Sequence, residues 1–139
     1  SYGIIRKNLE FVINLTTKQL AYATDWCGVK SGAEYDKFKE MGLTPVKGEV
    51  VKAPLIQESP VNIECIVKDI KELGTHHMFI SEVVAVNAEE SLFDEKTGVF
   101  RLIDAEPISY LHGKYYETGG LIGKFGFSVQ KRKTGKGRK

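Results

Sequence analysis

The chain carries few groups able to do chemistry, and their spacing narrows the choice further. His76 and His77 are adjacent in GTHHMF. Neighbouring side chains on a strand point to opposite faces, so the two rings cannot readily share a metal ion. A single imidazole can give or take a proton near neutral pH, and His76, beside the turn, is the candidate for that work; its plainer role is structural, within a hairpin. No set of His, Cys, Asp or Glu elsewhere has metal-ligand spacing, so no metal is expected. There is no nucleophile elbow, P-loop or GxGxxG fingerprint. Gly119, Gly120 and Gly123 resemble part of a phosphate loop but lack the strand before it and the helix after it. Cys27, beside Trp26, and Cys65 serve more simply as small packing groups than as redox centres. Tyr110, Tyr115 and Tyr116 can stack on a planar ligand, although core or interface packing is the simpler role. Ser1 and Tyr2 open a helical stretch, where free N–H groups and the helix dipole favour a phosphate; Ser1 would serve equally as a plain N-cap. Lys37 offers charge to a phosphate or an electron-rich ring, or is a solvated helix lysine.

The elements that would position these groups fit one domain of 139 residues. Apolar residues at 42% and charged residues at 27% argue against wholesale disorder. No apolar run approaches the roughly 20 residues that span a bilayer. The opening SYGIIRKNLE is polar-amphipathic rather than a signal peptide. Two cysteines in this length fit a reducing cytoplasm. The net charge of +2 is misleading, because the last nine residues, KRKTGKGRK, hold six of the 20 basic groups and no acid. The remaining body has 14 basic against 18 acidic residues, near −4. Residues 131–139 are therefore expected to be a disordered basic tail. Such a tail can touch nucleic acid or an anionic surface loosely, but a nucleic-acid site also needs a folded reader, so nucleic acid is not the expected partner. The chain opens on Ser1, without an initiator Met and inside a helix, which leads to the expectation that an N-terminal portion is absent.

Residues 2–8 read as a short helix, with Ile4, Ile5 and Leu9 at helical spacing. Phe11, Ile13 and Leu15 alternate with Val12 and Asn14 as in a strand. Thr16 with Gln19 forms a capping box ahead of a helix carrying Leu20, Ala23 and Cys27 on one face and ending at Gly28. A second box, Ser31 with Glu34, opens a helix with Tyr35, Phe38 and Met41 that stops at Gly42. Residues 43–60 hold three prolines and read as an extended loop. Val61, Ile63, Cys65 and Val67 alternate with polar residues, a turn follows around Gly74, and MFISEVVAV is apolar on both faces, as in a central strand. The two strands make a long antiparallel hairpin. A turn at 95–98 precedes a strand VFRLI, a last strand spans 108–111, and KYYETGGLIGKFG reads as a glycine-rich tail segment. Strands with a few short helices point to a β-barrel with helical insertions.

Three segments carry a resemblance: SYGIIRKNLEFVINL, DWCGVKSGAEYDKF and PVNIECIVKDIKELGTHHMFISEVVAV. Together they resemble the flavoredoxin group of the flavin-reductase-like family. The matching features are a Ser–Tyr pair opening a helix, the strand EFVINL, a block holding Cys27, Gly28, Ser31, Gly32, Asp36, Lys37 and Phe38, and a strand holding Gly74, His76, Phe79, Glu82 and Val83. The ordered set, rather than any one motif, carries the likeness, which runs over residues 1–126. It implies a mainly β (α+β) FMN-binding split β-barrel with short helical insertions over residues 1–130, and an FMN-binding oxidoreductase fed by NAD(P)H or by a redox protein partner. The alternative it leaves is a non-enzymatic electron carrier or flavin store. It implies Ser1, Tyr2, Ser31 and Lys37 as cofactor contacts and His76 as the catalytic group beside nicotinamide. Two departures stand out: Ser81 replaces a usual Gly, which narrows a backbone approach, and the family's opening barrel strands would precede Ser1.

The same resemblance implies a homodimer, while the cysteine content points to the cytoplasm and the lack of a long apolar run to no membrane partner. The strand MFISEVVAV supports the dimer physically. Met78, Ile80 and Val84 are expected on one face and Phe79 and Val83 on the other, yet a small barrel has one interior. The second face needs a cover, for which a two-fold partner is the commonest source. The tyrosine cluster suits such a seam, and an obligate interface of this kind buries on the order of 2,000 Å².

Overall fold

The computed structural model describes residues 1–130, so the basic tail lies outside the described residues. Helix α1 (Tyr2–Asn8) has the expected bounds. Leu9 then takes a left-handed conformation, φ 56°, which turns the chain directly into strand β1 (Glu10–Asn14). Helix α2 (Ala21–Val29) and helix α3 (Lys37–Met41) follow. Next come the two-residue strands β2 (Pro45–Val46) and β3 (Leu55–Ile56), paired with each other. The long hairpin consists of β4 (Val61–Leu73) and β5 (His76–Ala88), and Gly74 takes φ 76° at its turn. A second hairpin, β6 (Ile108–Leu111) with β7 (Lys114–Glu117), closes the described strands. No helix among the described residues is long and apolar enough to cross a membrane.

The main sheet has the order β1-β4-β5, all antiparallel. Phe11 lies opposite Cys65 and Ile13 opposite Ile63, while Cys65 faces Val83 across the hairpin. Two bulges break the hairpin register, one at Glu64/Cys65 and one between Val67 and Asp69. Each adds twist and re-aims the side chains beside it.

Several local expectations are corrected. The central strand among the described residues is β4, and MFISEVVAV lies in β5, which has one strand neighbour there. VFRLI is not a strand. Phe100 makes a single bridge to Phe93, with ring centroids 5.2 Å apart, and a 3-10 turn at Leu102–Ala105 follows. Residues 114–117, assigned to a tail, form β7 instead, because His112 (φ 48°) and Gly113 (φ 78°) both take positive φ and close a tight two-residue turn. Helix α2 runs through Gly28 and ends in the extended Lys30. Ser31 and Glu34 belong to a turn; α3 opens later, at Asp36, whose carboxylate accepts the Lys39 N–H at 3.3 Å. The stop at Gly42 stands, with φ 63°.

The core is small: Val51, Leu55, Val61, Cys65, Val67 and Leu92 are buried. Polar side chains buried beside them do the work of a missing ladder. Backbone groups taken from water need partners, and the 48–59 segment finds many of them on β4. Asn62 accepts the Ile56 N–H at 3.1 Å and donates to the carbonyls of Ile56 (3.2 Å) and Ser59 (2.9 Å). The Ser59 hydroxyl bonds the Leu15 and Val61 carbonyls. Glu64 is completely covered, and its Oε1 accepts the Glu49 N–H at 2.9 Å and the Asn87 amide at 2.8 Å. Its Oε2 accepts the N–H groups of Val50 and Val51, each at 2.8 Å. Gly48 is needed for this approach, since a Cβ there would lie 2.8 Å from Oε2.

Burial pushes the Glu64 carboxyl up, but the N–H groups of Val51, Glu49 and Val50 and the Asn87 amide outweigh it and hold the group at about 2. The folded value lies below the ordinary 4.5. The resulting stabilisation is complete above about pH 4.5 and is lost as pH falls through about 2. Glu64→Gln places an amide against backbone N–H donors and is expected to destabilise the domain by roughly 3 kcal/mol at pH 7. Urea melts at pH 7 and pH 2.5 check this: the gap between parent and variant narrows at the lower pH. A variant as stable as the parent at pH 7 would show that the carboxylate is not what ties the segment down.

Candidate functional site

An open groove of about 810 Å³ runs along the outer edge of β1, between α1, the 52–56 segment and Phe38 of α3. Its apolar lining comes from Ile4 and Ile5 of α1, Phe11 and Val12 of β1, and Phe38, Pro54 and Ile56. Lys7 and Lys52 supply the positive charge. Among the described residues neither ammonium is in an ion pair. Glu10 at the same end is already engaged, as its Oε1 accepts the Lys52 backbone N–H at 2.9 Å. The result is an apolar trough with free cations toward one end.

At the other end of β1 stands Asn14, which lines both this groove and a second pocket of about 290 Å³. That pocket is walled by Leu20, Ala23, Cys27 and Leu43, and shares Ile56 with the groove. The Asn14 Oδ1 is buried and has no hydrogen-bond partner.

Of the residues expected to hold a cofactor, Ser1 is in the groove lining. Its carbonyl accepts the N–H groups of Ile4 and Ile5, both at 3.0 Å, while its hydroxyl makes no capping bond. Tyr2 turns the other way. Its ring lies 3.9 Å from that of His77, and its hydroxyl donates to Glu72 Oε1 at 3.3 Å. Ser31 sits in the turn after α2, where its Oγ accepts the Ala33 N–H at 3.2 Å. The Lys37 ammonium donates to the Cys27 carbonyl, in the last turn of α2, where positive charge is favourable. His76 is exposed at the start of β5, its Nδ1 2.9 Å from Thr75 Oγ1. As alternation requires, His77 is on the opposite face, half-buried, with its Nδ1 unpartnered. The groove thus unites Ser1 with Lys7, Lys52 and Asn14, while Tyr2, Ser31, Lys37 and His76 lie outside its lining.

The remaining candidates lie outside the groove lining. Cys65 is buried, and burial pushes its thiol up, away from the reactive thiolate. Trp26 packs edge-on against Tyr35 at 5.5 Å. Tyr110 and Tyr115 are paired at 5.1 Å, and the Tyr115 hydroxyl donates to Asp25 at 3.1 Å, tying the second hairpin to α2. Ser81 is half-buried with an unpartnered Oγ. Among the described residues no group of three or more His, Cys, Asp or Glu side chains is placed to hold a metal.

Comparison with known proteins bears out the resemblance. Residues 1–119 match the model of the flavin reductase like domain, and the chain belongs to that family. An uncharacterized protein of Pyrococcus abyssi is 36% identical over 94 residues, covering 68% of this chain and 54% of that protein. The chain thus spans about half the length of such relatives. The structure of flavoredoxin from Desulfovibrio vulgaris (Miyazaki F) superposes with a TM-score of 0.83 at 30% identity, over 93% of this chain and 69% of that one. An FMN-binding protein from Thermus thermophilus superposes with a TM-score of 0.67 at 25% identity, over 84% and 62%. The fold is therefore the mainly stranded α+β split barrel of these proteins.

Proposed function

We propose that this domain binds FMN in the groove along β1 and works as half of a homodimeric oxidoreductase. The observation that carries the reading is the pairing of an apolar trough with two unpaired lysines at one end. FMN joins a flat, largely apolar ring to a phosphate dianion, and the residues present fit both parts. Lys7, Lys52 and the free Ser1 hydroxyl would hold the phosphate. Ile4, Ile5, Phe11 and Phe38 would exclude water from the ring. The groove's volume suits a ligand of this size, and nothing in it requires the second phosphate and adenine of FAD. That one relative is described as a flavoredoxin and another as an FMN-binding protein supports the choice.

Bound flavin supplies hydride and single-electron chemistry, and the protein supplies position and electrostatics. Reducing equivalents would come from NAD(P)H or from a redox protein. Tyr2 serves by pinning α1 to the hairpin, and Ser31 and Lys37 by shaping the turn ahead of Phe38. His76 is the accessible imidazole. Thr75 engages its Nδ1; as His76 is not in the groove lining, its part in reduction would be to orient the nicotinamide donor rather than to protonate the flavin.

The dimer reading rests on the hairpin surface. Leu73, Met78, Ile80, Val83 and Val86 are each 45–61% exposed, a concentration of apolar area that favours a covering partner. Two free cysteines, one of them buried, suit a reducing cytoplasm.

Three outcomes are expected. Lys7→Glu with Lys52→Glu weakens FMN binding about tenfold or more but leaves riboflavin, which lacks the phosphate, nearly unaffected in fluorescence-quenching titrations; an equal loss for both would remove the phosphate from this end of the groove. His76→Ala slows flavin reduction by NAD(P)H in stopped-flow traces with little change in FMN affinity. An unchanged rate with a lower Tm would mark His76 as structural, and no reduction by NAD(P)H even in the parent would favour an electron carrier or flavin store. Sedimentation equilibrium at micromolar concentration gives a dimer, and a monomer that still binds FMN tightly would contradict the shared seam.

A further inference from the structure

The three asparagines around β1, β4 and β5 are used very differently. Asn62 employs both ends of its carboxamide in holding the 56–59 backbone, and Asn87 donates to Glu64. Asn14, at the last position of β1, leaves its Oδ1 buried without a donor. A buried carbonyl oxygen without a partner is costly, and such a group in a native wall calls for an explanation. Asn14 lies where the groove meets the smaller pocket, and the residue lines both. Because the oxygen is covered, contact with a ligand in the groove requires the side chain to rotate.

Position along β1 narrows what it can meet. The cations cluster at the Glu10 end, since Lys7 closes α1 just before it and the Lys52 backbone is bonded to Glu10 itself. Asn14 is four residues further along, about 13 Å at the rise of a strand. That span is comparable with the distance from the phosphate of FMN to the far edge of its ring. The far edge is the pyrimidine portion, where N3–H, the only N–H of the oxidised ring, lies between two carbonyl groups. A carboxamide is its complement: the oxygen accepts N3–H while the NH₂ donates to a flanking carbonyl. We propose that Asn14 reads the pyrimidine edge of the flavin and sets the direction in which the ring lies in the groove. This rests on the FMN reading above and adds to it the residue that distinguishes the two ends of the ring.

The test uses the full chain, with FMN and 3-methyl-FMN, in which a methyl group replaces the N3 proton, titrated by flavin fluorescence. The parent is expected to bind 3-methyl-FMN about tenfold more weakly than FMN, a loss of the size of one hydrogen bond. Asn14→Ala is expected to bind FMN about tenfold more weakly than the parent and to lose the discrimination. Asn14→Asp, which keeps an acceptor, is expected to retain it. A parent that binds both flavins equally overturns the proposal, as does an Asn14→Ala variant that still discriminates. The first result needs only the parent, so the proposal stays decidable if the variants fold poorly. A parent that binds neither flavin contradicts the FMN reading itself, an outcome distinct from the other two.

Discussion

A fully buried carboxylate holds this domain together at the place where its site is built. Glu64 reaches from the central strand under the 48–51 segment and collects three consecutive backbone N–H groups and one side-chain amide. A charge in a low-dielectric interior is tolerated only when so many donors surround it. The exchange works for both sides: the carboxylate keeps its charge, and the loop backbone, which has no strand partner there, is satisfied. Lys52, Ala53 and Pro54 follow directly and form one wall of the groove. That wall therefore stands where it does because of a side chain on β4, not because of a ladder.

The opposite wall is anchored to the same hairpin by hydrogen bonds and aromatic contacts. Helix α1 is bound to β1 by the left-handed turn at Leu9, whose carbonyl accepts the Val67 N–H at 2.9 Å. Tyr2 then lays its ring on His77 and approaches Phe79, 6.0 Å away between centroids. Both walls and the floor thus refer to β4 and β5, so their spacing is set by one rigid pair of strands. A site supported in this way keeps its geometry better than one carried on loops alone.

Much of the frame was legible in the sequence because it follows local periodicity. The bounds of α1, the strand through 61–67 and the Gly74 turn all rest on patterns within a few residues. What escaped depends on contacts between distant segments. Asp36 capped α3 in place of Ser31, and the β2–β3 pair formed within an apparent loop. VFRLI met a single bridging partner and gave way to a 3-10 turn. Glu64 looked like an outward polar position on an alternating strand; its burial comes from a segment about fifteen residues earlier in the chain folding across it. The site divides in the same way. Ser1 could be singled out as a helix opener, but Lys52 joins it only because the backbone crosses 42 residues to bond Glu10. Asn14 was visible as the asparagine of EFVINL, and only the folded chain shows its idle carbonyl.

The chain belongs to the flavin reductase like family over residues 1–119, and its groove has apolar walls with Lys7 and Lys52 toward one end and Asn14 at the other. The most direct measurement is a crystal structure of the protein with FMN. The account predicts the flavin along the edge of β1, with its phosphate near Lys7 and Lys52 and its ring over Phe11. Flavin bound elsewhere, touching neither lysine and leaving the groove open, would contradict it.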